Sequence, residues 1–156
     1  RFSRLPADKY DPENASKIQV AALNAEKAKL LIVVNSEGLD PELVRSIITG
    51  YFRERASRLS IIRVAVVHPG HETWLCIGML CTSEDLRHFN ECVRECIQDP
   101  EHYIQHIKGR PYRKEFLAEY ARHVNINYLF RASELTRDSI GFRQYVEAVR
   151  WLLEGC

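Results

Sequence analysis

Glycine is scarce and scattered in this chain, seven residues in 156, and none are gathered into G-x-G-x-x-G or G-x-x-x-x-G-K-[ST]. A phosphate cradle of closely spaced backbone N–H groups is therefore excluded in its standard dinucleotide and triphosphate forms. A G-x-S-x-G nucleophile elbow is missing as well. An excess of either charge is also lacking. Lys and Arg total 22 against 21 Asp and Glu, so a net charge of +1 supplies no global field for nucleic acid or an anionic membrane. No apolar run reaches the roughly 18 residues of a membrane-spanning helix, and no signal-peptide pattern supports secretion. The chain opens on Arg1 and not Met, so an upstream segment, with any address it carried, is expected to have been removed. What remains is 46% apolar and 28% charged, the composition of a folded globular chain able to build a core without staples. The expected organisation is an extended arm over 1–12 and a single domain over 13–156.

Five cysteines are present, Cys76, Cys81, Cys92, Cys96 and Cys156, an odd number with no C-x-x-C spacing. Lying in apolar runs, they read as small buried hydrophobes, reduced and metal-free, in a cytoplasmic compartment. The competing arrangement is zinc held by His88, Cys92 and Cys96, which recur every four residues along one helix. Leu86, Phe89, Val93, Cys96 and Ile97 trace the core stripe of that same helix, however, and core packing is the expectation, with no cofactor. His102 and His106 lack the intervening Glu of a metalloprotease and read as a polar helix face.

Along the chain, Asn14–Lys27 has the spacing of a first helix and KLLIVV, residues 29–34, that of a strand. Asp40 before Pro41 signals a helix start, with helical spacing to Arg58. Residues 61–81 split into two β-rich runs around His68-Pro69-Gly70-His71-Glu72, which predicts a hairpin. Ser83 opens a helix to Gln98. Asp99-Pro100 interrupts it, and helical spacing resumes to 123 with a pause at Gly109 and Pro111. VNINYLF, residues 124–130, alternates like a half-buried strand, and 139–154 is a final helix. The order predicts an α+β fold, a ferredoxin-like βαββαβ antiparallel sheet with additional N- and C-terminal helices.

Three sets of residues are candidates for function. His68, His71 and Glu72 place imidazoles beside a carboxylate on the expected hairpin, which suits general acid–base catalysis; with no serine or cysteine nucleophile suitably placed nearby in sequence, a solvated turn of ordinary turn residues is the favoured reading. Lys108, Arg110, Arg113 and Lys114 surround Pro111 and Tyr112 and resemble a small phosphate- or acid-binding loop, but Glu101, Glu115 and Glu119 border it, and the pattern argues against nucleic acid. If Val66 pairs with Leu75, one sheet face gathers Ile62, Val64, Leu75 and Ile77 as core. The other exposes Arg63, Trp74, Asn125 and Asn127, to be covered by the chain's own arm and helices or by a docked protein or second copy.

Residues 29–134 resemble the C-terminal domain of the bacterial SseB, or enhanced serine sensitivity, family. The likeness lies in the order KLLIVV, LDPELVRSIITGYF, IIRVAVV, WLCIGML, a long helical stretch and NINYLF, with a proline near the start of the first helix. The family's usual preceding domain is absent from this sequence. The resemblance implies a small cytoplasmic protein without an established reaction, associated with protein interaction and sometimes with toxin immunity. It assigns no catalytic residue. The expectation is a non-catalytic protein-interaction domain.

Overall fold

The structure, a computed structural model, describes residues 29–50 and 62–154. The expected arm and first helix, the continuation of the second helix past Gly50, and Cys156 lie outside the described residues. In chain order the elements are β1 (Leu30–Asn35), α1 (Pro41–Gly50), β2 (Ile62–Val67), α2 (His71–Leu80), α3 (Leu86–Gln98), α4 (Pro100–Lys108), a short 3-10 turn (Lys114–Phe116), α5 (Leu117–Ala121), α6 (Ile126–Leu135) and α7 (Phe142–Leu153). They divide into two compact units. One holds β1, α1, β2 and α7 from Gln144 onward; the other runs Pro69–Arg143.

In the first unit the two β-branched runs pair in parallel, Leu30 opposite Ile62 and Asn35 opposite Val67. The crossover contains α1, which begins as the Asp40-Pro41 signal requires: Asp40 Oδ1 accepts the backbone N–H of Glu42 at 3.1 Å. Alternate strand residues Ile32, Val34, Ile62 and Val66 meet Val44 and Ile48 of α1 to form the core. Lys29 Nζ donates to the carbonyls of Trp151 and Glu154, each at 2.6 Å, placing a cation at the carbonyl end of α7. Both Lys29 and Arg63 lie over the Trp151 ring, at 5.1 and 4.8 Å from its centroid.

The second unit is entirely helical among the described residues. Its centre is α2, which contacts α3, α4, α5 and α6. This overturns the ferredoxin-like expectation. WLCIGML is helix and not the second strand of a hairpin, and NINYLF opens α6 and is not a closing strand, leaving a two-stranded parallel sheet among the described residues. The physical reasons are local. A short apolar run does not reveal its period when it is buried on every side, and this one is rich in Leu, Cys, Met and Trp, with only Thr73 and Ile77 β-branched. Gly70 is extended immediately before α2 and Glu72 sits in its first turn, so His-Pro-Gly is a strand-to-helix connection. Asn125 caps α6, its side chain accepting the N–H of Asn127 at 3.0 Å, and Leu129, Ala132 and Ser133 continue a helical stripe past the apparent alternation.

Capping residues set the other boundaries. Asp85, not Ser83, caps α3 by accepting the N–H of His88 at 3.0 Å. Asp99 ends α3 and caps α4, accepting the N–H of His102 at 3.2 Å, with Pro100 at the first helical position. Gly109 terminates α4 at φ +66°, a left-handed conformation that glycine takes without a Cβ clash. The last helix starts at Phe142, after a turn in which Arg137 and Asp138 are both left-handed.

Candidate functional site

Of the acid–base candidates, His68 belongs to the first unit and His71 and Glu72 to the second. At the carboxyl end of the parallel strands, where α/β folds place ligands, His68 Nδ1 lies 2.6 Å from Ser36 Oγ. Burial holds the His68 pKa below the ordinary imidazole value, against an opposing pull from the Asp40 carboxylate. A serine and a histidine therefore meet at the strand ends, within the electrostatic reach of an aspartate. The Ser36 hydroxyl belongs to a fully buried residue, however, and Asp40 spends a carboxylate oxygen capping α1. A nucleophile must reach its substrate, so this bond ties the end of β1 to the end of β2. In α2, His71 Nε2 stands 3.1 Å from Glu72 Oε1, an imidazole–carboxylate pair at a helix start.

The expected partner patch has no sheet to unite it. Arg63 lies in the first unit on Trp151, and it helps to bound a cleft of about 400 Å³ in which Arg45, Thr49, Gln144 and Glu147 stand beside the apolar Ile62, Val64 and Ala148. Arg45 in that cleft is hydrogen-bonded to Glu42 and Gln144. Trp74 is half-buried within the helical unit. Its Nε1–H donates to the Ile140 carbonyl at 3.0 Å, and its ring meets Phe142 edge-on at 5.3 Å. Asn125 and Asn127 form the α6 cap already described.

The basic segment divides sharply. Arg110 is absorbed into the unit: its guanidinium donates to Glu119 Oε1 at 2.6 Å and lies over the rings of Phe116 and Tyr120 at 4.4 and 5.4 Å. Tyr112 stacks on Tyr120, and burial, aided by Glu72 and Glu101, pushes its phenol pKa well above the usual value. Lys108, Arg113 and Lys114 remain exposed and make no ion pair among the described residues. Beside them, Ile107 ends the apolar stripe of α4 with 52% of its surface exposed. A cationic, partly apolar surface results, which can hold a carboxylate-bearing chain with an apolar anchor. The cluster of charges was legible in sequence; the exposed isoleucine was not singled out.

The cysteines depart from the expected reduced state. Cys76 is joined to Cys96 and Cys81 to Cys92, linking α2 and its end to α3. His88, the third ligand of the zinc arrangement considered from spacing, is instead an exposed residue paired with Asp85 at 3.2 Å. No helix among the described residues is long and apolar enough to cross a membrane. Comparison of the chain with protein-family models, curated proteins and solved structures finds no match.

Proposed function

We propose that this chain is a protein-interaction domain without catalysis of its own, docking an acidic partner on the segment 107–114. The observation that carries this reading is Ile107, more than half exposed, beside three cations that have no ion-pair partner among the described residues. An exposed isoleucine is ordinary by itself; what supports a docking role for this one is its place beside three cations, which together offer an apolar anchor point and a carboxylate-binding rim. A protein partner is favoured over nucleic acid because the aromatic rings of the segment are turned onto one another and onto Arg110, so they offer no platform for bases. The SseB resemblance lends little here, since WLCIGML and NINYLF are helical.

The cytoplasmic expectation drew on reduced cysteines, on the SseB resemblance and on the lack of a signal-peptide pattern, and the first of these supports is removed by the cross-links. Two disulfides support an oxidising compartment. The docking surface is tested by affinity capture with mass spectrometry, using the wild-type chain, Ile107→Asp, and a triple charge reversal of Lys108, Arg113 and Lys114 to Glu. Partners captured by the wild type are expected to be lost from both variants, retained by Leu86→Asp on α3, and resistant to nuclease. Retention by Ile107→Asp, or loss on nuclease treatment, refutes the reading.

A further inference from the structure

Three cysteine sulfurs, those of Cys81, Cys92 and Cys96, cluster in the helical unit, and a fourth, that of Cys76, joins the group through its bond to Cys96. Cys92 and Cys96 are one helical turn apart on α3, Cys76 lies within α2, and Cys81 follows its last residue; all four residues are buried. The two cross-links are nested, as an antiparallel helical hairpin requires, with Cα atoms 5.5 Å apart in each. The sulfurs also approach one another across the bonded pairs. Cys81 Sγ and Cys96 Sγ, which are not bonded to each other, stand 3.9 Å apart, and the sulfurs of Cys81, Cys92 and Cys96 all lie within 4.8 Å of one another.

That separation is close to the edge of a zinc–tetrathiolate tetrahedron, about 3.8 Å when zinc–sulfur bonds are about 2.3 Å. The sulfurs come from two packed elements and from both sides of a hairpin turn, which lets them surround an ion and not merely line a stripe. Opening each disulfide requires its sulfurs to part by less than 2 Å, a movement available to side-chain rotation without refolding. Once opened, four buried thiols would lose both cross-links of the hairpin, and a cation that binds all four restores them.

We propose that on reduction of both disulfides the helical unit binds one zinc ion through Cys76, Cys81, Cys92 and Cys96. The chain thus carries a thiol–metal switch in which either two S–S bonds or one metal ion clamps α2 to α3. Each disulfide is opened by a dithiol reductant, which gives up two electrons and two protons to the cysteine pair and closes to its own disulfide. The four thiols then give up four protons as their sulfurs bind Zn²⁺. Zinc taken up by the reduced chain is a site different in kind from the docking segment, and neither proposal depends on the other.

The experiment uses the full wild-type chain, reduced without air and freed of reductant, then titrated with Co²⁺ and with Zn²⁺. Binding of one equivalent of cobalt is expected, with the thiolate-to-metal charge-transfer and visible bands of a tetrahedral sulfur site. With zinc bound, a thiol-reactive disulfide reagent is expected to find four of the five thiols protected, and all five reactive after chelation. His88→Ala should change neither result. Failure to bind at equimolar metal, protection of fewer than four thiols, or loss of the cobalt spectrum in His88→Ala overturns the proposal. Because the count is made on the wild-type chain, it does not depend on any cysteine variant folding.

Discussion

Replacing Gly78 with alanine isolates the packing that lets α2 run through the centre of the helical unit. In an exposed helix the substitution stabilises by about 1 kcal/mol, because alanine has less backbone freedom to lose. At Gly78 the new Cβ would stand 2.5 Å from Cγ1 and 3.2 Å from Cβ of Val124. Carbon atoms in contact sit about 3.5–4.0 Å apart, so the added methyl overlaps its neighbour by roughly 1 Å or more. Turning the Val124 side chain does not relieve the overlap entirely, because its Cβ also lies too near the new methyl. Its β-branched side chain is stiff, and the next residue, Asn125, donates its N–H to the Gly78 carbonyl at 2.9 Å while capping α6. Overpacking of this kind costs about 1–3 kcal/mol, and the overlap puts Gly78→Ala in the upper half of that range. Set against the helix-propensity gain, the net effect is a destabilisation of about 1–2 kcal/mol, a fall in melting temperature of roughly 2–8 °C. The assay is a circular-dichroism melt of the oxidised full chain, with Val124→Ala and the double variant alongside. The double variant should be more stable than the sum of the single losses predicts. A Gly78→Ala chain that melts at or above the wild type, or a strictly additive double variant, refutes the reasoning.

Trp74→Arg is expected to destabilise the helical unit by about 2–4 kcal/mol, since it removes the bond to the Ile140 carbonyl and the edge-on contact with Phe142; an unchanged melt together with loss of a partner would return Trp74 to the surface role expected from sequence. The folded-state pKa of His68 lies below the ordinary value of 6.5, so its contribution to stability is complete above about pH 6.5 and is lost as pH falls through the folded pKa. Denaturant titrations from pH 8 to 5 should therefore show a decline that His68→Gln flattens, and parallel profiles for the two chains would remove the burial argument.

Boundaries written in local chemistry were readable before the fold was known: Asp40-Pro41, Asp99-Pro100, Gly109 and the β-branched runs of both strands all mark what they signal. The failures concern information that is not local. His68-Pro69-Gly70 serves a hairpin or a strand-to-helix connection equally well, and only the helices packed around α2 decide between them. Had residues 74–81 been a strand, Cys76 and Cys81, five apart, would face opposite sides, so the cross-links stayed hidden until that run became a helix. Ser36 and His68 are 32 residues apart and touch only because the strands are parallel. The exposed Ile107 looked like one more member of an apolar stripe, since periodicity does not say where the neighbouring helix ends.

The nesting of the cross-links bears on how this chain can be dismantled. An unfolding motor that draws the polypeptide through a narrow pore from its amino end meets, at Cys76, a covalent ring closed at Cys96, with a smaller ring between Cys81 and Cys92 inside it. Pulling cannot straighten such a lasso, and the pore must admit several chain thicknesses side by side or stall. The persistence of residues 76–96 under mechanical turnover is then set by the rate at which a reductant reaches two buried sulfur pairs, and not by the height of a folding barrier.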